Sequence, residues 1–112
     1  MTQSNDIKAL TAALLKFRDE RDWEQFHNPK DLALALNIEA GELLEAFLWK
    51  SSEQADIETV KEELADVLAF AFLLADKYGL DVKQIVLEKI EKNALKYPVE
   101  KARGSARKYT EL

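Results

Sequence analysis

Three features of the amino-acid sequence predict an all-α protein whose protomer is a four-helix bundle. Only three glycines and two prolines interrupt 112 residues, which is too few turn-formers for a β architecture of many short strands. Apolar residues recur at three- and four-residue steps, the helical period. The interruptions that do occur sit at helix starts and stops, and the short connections between successive helices favour antiparallel neighbours.

The first helix is expected from about Asp6 to Asp22, with Ser4, Asn5 or Asp6 as its cap. Ile7, Leu10, Leu14 and Phe17 step at 3, 4 and 3 residues and form one apolar stripe. The segment Arg21–His27 then leaves the helical pattern. Helix two has an explicit start, with Asn28 as N-cap, Pro29 at the first helical position and Asp31 in the first turn. It runs to about Trp49 or Lys50, where Ser51-Ser52 marks a break. Helix three begins between Glu53 and Ile57 and ends near Tyr78, with Gly79 as the residue that stops it. Asp81 with Gln84 three residues on reads as a capping pair for helix four, which continues to about Lys96 before Pro98. The tail from about Val99 to Leu112 is polar and basic, carrying Lys101, Arg103, Arg107 and Lys108. Nothing along residues 1–112 reads as a linker, a repeat or a low-complexity tract, so a single domain is expected.

Composition narrows the function. Sixteen basic and 21 acidic residues give a net charge of −5, the wrong sign for a dedicated binder of nucleic-acid polymers. Without cysteine there is no disulfide and no thiolate metal site, and one histidine is too few for a multi-histidine zinc site. The first ten residues, MTQSNDIKAL, lack the basic and apolar regions of a signal peptide. The apolar run Val67–Ala75 is far shorter than the roughly 20 residues a membrane helix needs. A cytoplasmic protein without membrane association is the expectation.

The informative residues are acids in apolar surroundings. At about 100° per residue, Glu39 falls amid Leu32, Leu36, Leu43 and Ala46, while Leu34, Ile38, Leu44 and Leu48 cover much of the other side of helix two. A helix apolar nearly all round implies burial against several partners. Glu42 lies one turn from Glu39, and Glu63 and Asp66 repeat the same step on helix three among Val60, Val67, Phe70 and Leu73. Acids at i and i+3 point the same way. A single such glutamate would ordinarily line a solvated seam or pair with a lysine such as Lys61. Two pairs on neighbouring apolar helices instead call for a counter-charge, because unpaired buried carboxylates either take up protons or recruit a cation. Hard oxygen donors suit magnesium, with manganese as the alternative. Glu45 and Glu62 fall on more polar flanks. A di-iron carboxylate bundle would need Glu-x-x-His on two helices, and His27 is the only histidine.

Glu39-Ala-Gly-Glu42, followed after residues 43–62 by Glu63-Leu-Ala-Asp66, resembles the Glu-x-x-Glu…Glu-x-x-Asp motif of the all-α nucleoside triphosphate pyrophosphohydrolases, the MazG-like superfamily. Arg21–His27, Phe47-Leu48-Trp49 and the tail Ser105–Leu112 extend the likeness to its dCTP pyrophosphatase branch. The resemblance runs over nearly the whole chain from Phe17 onward. It implies magnesium-dependent hydrolysis of a nucleoside triphosphate, dCTP or a related dNTP, to the monophosphate and pyrophosphate, as nucleotide-pool house-cleaning. Glu39, Glu42, Glu63 and Asp66 would be the metal ligands and the catalytic acids. Two positions depart from the pattern. Ile38 stands where many members carry a further Glu, and Phe70 replaces an aromatic hydroxyl found in the branch.

By the same resemblance Trp23, His27 and Trp49 look like the base pocket, with Phe70 beside it, and Asn93 corresponds to a nucleotide-binding asparagine. Taken alone, each tryptophan would be ordinary packing. Tryptophan faces suit stacking on a nucleobase. Lys89, Asn93 and Lys96 share one face of helix four, where triphosphate oxygens would be natural partners. Helices two and three carry more apolar face than one small bundle can cover, which points to protomer packing. The family likeness points the same way, to a homodimer or homotetramer with sites shared between protomers. Two rival readings are a non-catalytic helical interaction module with structural acids, and a related pyrophosphohydrolase acting on a phosphoribosyl intermediate.

Overall fold

The computed structural model of the chain describes residues 6–112; Ser4 and Asn5, two of the three expected caps of the first helix, lie outside the described residues. Among the described residues every regular element is helical. The order is α1 (Asp6–Glu20), a 3-10 turn (Glu24–Phe26), α2 (Pro29–Glu45), a second 3-10 turn (Ser52–Gln54), α3 (Ile57–Lys77), α4 (Val82–Lys96), α5 (Val99–Ala102) and a last 3-10 turn (Tyr109–Glu111). The chain divides into two compact units, one ending at Leu80 and one running from Asp81 to Leu112.

Capping explains the helix starts. The Asn28 side chain accepts from the Asp31 backbone N–H at 2.9 Å, with Pro29 in the first turn. Asp56 fixes the start of α3 by accepting from both the N–H and the hydroxyl of Thr59, at 3.2 and 2.9 Å. Asp81 does the same for α4 through the Gln84 N–H at 2.9 Å, as its spacing predicts. Gly79 ends α3 at φ +64°, a left-handed conformation in which a Cβ would be strained. Its N–H donates to the Asp76 carbonyl while Leu80 N–H reaches back to Ala75, so the last carbonyls of the helix are satisfied.

In the first unit α3 is the central element, packed by α2 along one side and by α1 along another. Leu32 on α2, only 1% exposed, with Ala46, Leu73 and Ala75, forms the buried centre. One expectation needs correction. The covered face of α1 is not the stripe Ile7–Leu10–Leu14–Phe17, because Leu10 and Phe17 are exposed. It is Ile7, Thr11, Leu14, Leu15 and Arg18, a face at the same period rotated toward a charged residue. Within the single chain α2 buries only one of its apolar faces. It packs on α3 through one face and leaves Leu34, Ile38 and Leu44 exposed, as is Leu48 in the turn just beyond its end.

Helix α2 also ends earlier than Trp49. From Ala46 the N–H groups bond three residues back, tightening the final turn. Trp49 then takes φ +62° and is 93% exposed. Helix α1 stops at Glu20, and Asp22 at φ +53° turns the chain into the Glu24–Phe26 turn. In the second unit the tail is folded: α5 follows Pro98, and the Tyr97 and Tyr109 rings meet edge-on at 5.9 Å. No helix among the described residues is long and apolar enough to cross a membrane.

Candidate metal centre

The four motif acids reach the α2–α3 interface for a local reason. Each pair sits at i,i+3 on its own helix, and the two helices pack side by side. Glu39, Glu63 and Asp66 each offer one carboxylate oxygen within 4.8 Å of the others. Glu39 and Glu63 are half-buried and Asp66 is exposed, so the cluster opens to solvent on the Asp66 side. Glu42, also exposed, lies outside this tight set but acts electrostatically on both Glu39 and Glu63.

The electrostatics are uncompensated. Lys61, a candidate partner in sequence, instead pairs with Glu58 at 3.7 Å, and among the described residues none of the four acids has a basic partner. One carboxylate oxygen of Glu39 and one of Glu63 are buried with no hydrogen-bond partner. The Glu39 carboxyl is pushed up to about 7, by its hydrogen bond with Glu42, then by burial and by the neighbouring negative charges of Glu42, Asp66 and Glu63. Glu63 is raised as well, chiefly by burial, with repulsion from Glu42 and Asp66 added. Orphaned buried carboxylate oxygens converging from two helices are what a hard divalent cation satisfies. The residues present therefore fit a magnesium-type ion. Glu45 and Glu62 are exposed, in keeping with their polar flanks.

Trp23 and His27 bracket the 3-10 turn after α1. Trp23 is partly exposed and meets Phe17 edge-on at 5.7 Å, while the Arg21 guanidinium lies 3.6 Å from the Phe17 ring centre. His27 is half-buried, with a buried Nδ1 that has no partner. Burial, then the positive charges of Arg18 and Lys77, lower its pKa, with Glu24 opposing them. Phe70 is half-buried on α3, one turn beyond Asp66, so the ring sits on the acid-bearing helix. In the second unit Lys89 and Asn93 line an open groove of about 480 Å³ on α4 with Ile85, Val86 and Ile90. Lys96 is not part of it; its Nζ lies 5.0 Å from the Tyr109 ring centre.

Sequence reasoning passed over Arg18, Glu24 and Lys77. Arg18 is buried at 7% exposure, paired with Asp19 and Glu24. The spacing of Thr11, Leu14 and Arg18 carried the signal, but a charged residue is not counted when an apolar stripe is sought.

Residues 34–112 match the MazG-like family. The dCTP pyrophosphatase 1 proteins of Mus musculus, Bos taurus and Homo sapiens are each 44% identical over 115 residues, an alignment covering 96% of this chain. The chain spans 66% of the length of those relatives. The crystal structure of a pyrophosphatase from Archaeoglobus fulgidus superposes with a TM-score of 0.77 at 37% identity, over 88% of this chain and 97% of that one.

Proposed function

This chain belongs to the MazG-like family, and from that membership we propose that it is a magnesium-dependent nucleoside triphosphate pyrophosphohydrolase. The observation that carries the reading is the convergence of Glu39, Glu63 and Asp66 with two buried, unpartnered carboxylate oxygens. Glu39, Glu63 and Asp66 would hold the ion, with Glu42 beside them. When bound, such an ion neutralises and orients the triphosphate.

The reaction is attack of a water oxygen on the α-phosphorus. The bond from that phosphorus to the bridging oxygen breaks, and pyrophosphate leaves with that oxygen, giving the nucleoside monophosphate. Glu42, outside the tight oxygen set, accepts the proton the water gives up. Trp23 and Trp49 stack on the base, with His27 and Phe70 completing the pocket; in the second unit, Lys89, Asn93 and Lys96 on α4 are suited by their chemistry to a nucleotide's polar groups. The substrate is dCTP or a related dNTP, by the names of the relatives at 44% identity. We also propose that the working form is a homodimer or homotetramer with sites shared between protomers, supported by exposed Leu34, Ile38 and Leu44 on α2 and Leu48 just after it.

The test is incubation of the purified chain with each dNTP and magnesium, with separate assays for pyrophosphate and orthophosphate. Stoichiometric pyrophosphate, fastest with dCTP, is expected. Release of orthophosphate alone would overturn the bond assignment, and no release at all would favour the non-catalytic module. Size-exclusion chromatography with light scattering checks the oligomer.

A further inference from the structure

The first unit holds a second polar cluster, where α1, the Glu24–Phe26 turn and the C-terminal end of α3 meet. Arg18 Nε donates to Asp19 Oδ1 at 2.8 Å, and Nη2 lies 2.8 Å from the same oxygen. Nη2 also lies 3.5 Å from Glu24 Oε2, and Lys77 Nζ donates to that Glu24 oxygen at 3.4 Å. Glu24 is thus gripped by one cation from α1 and one from α3.

A buried guanidinium needs an anion to offset its desolvation, and Asp19 supplies one within α1. The Glu24 contacts are therefore not required to neutralise Arg18. They fasten a short turn to two helices that are themselves packed together. The turn's other contacts are all short in sequence: Gln25 Nε2 donates to the Asp22 carbonyl and to Asp22 Oδ2 at 2.9 and 3.1 Å, and Trp23 meets Phe17 edge-on. Phe26 and His27 N–H donate to the Trp23 and Glu24 carbonyls at 2.9 Å, and Trp23 N–H donates to the Arg18 carbonyl at 3.1 Å. Glu24 follows Trp23 directly, and His27 closes the same turn.

We propose that Glu24, clamped by Arg18 and Lys77, is a positioning residue that sets the placement of Trp23 and His27 and so governs nucleotide affinity without touching the nucleotide. This rests on the base-pocket reading of Trp23 and His27. The clamp acts on binding rather than on the reacting phosphorus, so its loss raises KM and spares kcat.

The experiment measures KM and kcat for dCTP with magnesium on the full chain and on Glu24→Gln, Lys77→Met, Lys77→Arg and Trp23→Ala. Glu24→Gln and Lys77→Met are expected to raise KM about five-fold with kcat within about two-fold. Lys77→Arg, which keeps the cation, should restore the wild-type KM, and the double variant Glu24→Gln/Lys77→Met should be no worse than either single change. If Trp23→Ala raises KM while Glu24→Gln and Lys77→Met leave it unchanged, the clamp is overturned and the base pocket stands. If Trp23→Ala leaves KM unchanged, the base-pocket reading falls and takes the clamp with it. A kcat that falls by as large a factor as KM rises, or a Lys77→Arg variant as impaired as Lys77→Met, also overturns the proposal.

Discussion

Two polar clusters share the first unit, and they are opposites. Around Arg18 every charge has an answer: a guanidinium on Asp19, and Glu24 between Arg18 and Lys77. Around Glu39 and Glu63 no charge has one; like charges crowd together and two oxygens are orphaned. A compensated cluster holds a fold in place. An uncompensated one raises the energy of the empty protein and is relieved only by protons or by a cation. The contrast separates a structural group from a ligand site without reference to any relative.

The comparison can be broken most directly at Glu63. Glu63→Gln is expected to lower pyrophosphate release by more than about a hundred-fold while leaving the far-ultraviolet circular dichroism unchanged. A variant that keeps turnover would remove the acid cluster from the chemistry. Next in size is the response to metal. Magnesium at about a hundred times its Kd should stabilise the chain by roughly 2.7 kcal/mol, a rise in Tm of several degrees, and Glu63→Gln should abolish that rise.

The pH dependence sharpens the same point. Glu39 and Glu63 are raised in the folded chain, so they favour folding while protonated. For Glu39 that contribution is present below its ordinary value of 4.5 and is lost as the pH climbs to about 7. Denaturant titrations without metal should therefore show stability falling across that interval as Glu39 deprotonates, with Glu63 acting in the same direction. The magnesium-induced gain should grow over the same window, because the ion binds the deprotonated acids. A magnesium effect independent of pH between 5 and 8 would contradict the assignment.

The smallest expected effect concerns Trp49. Its left-handed backbone is strained for a bulky residue, and its side chain is nearly free of packing. Trp49→Gly should therefore raise stability, by up to about 1 kcal/mol, while raising KM for dCTP. A variant that loses stability would show that the indole packs against something in the working assembly instead.

Much of this was legible in the sequence because it is local. Helix starts at Asn28-Pro29, Asp56 and Asp81, and the stop at Gly79, depend on side chains bonding backbone within a few residues. The pairing of Glu39 with Glu42, and of Glu63 with Asp66, follows from helical geometry alone. Which oxygens converge could not be read that way. The i,i+3 rule makes the four acids equivalent, whereas the packing of α2 on α3 brings Glu39, Glu63 and Asp66 within 4.8 Å and leaves Glu42 to one side. The covered face of α1 was likewise settled by α3, whose Lys77 meets Glu24 beside Arg18 across 53 positions of sequence. Periodicity records which side chains share a face, and only the tertiary structure decides which face is turned inward and what it meets there.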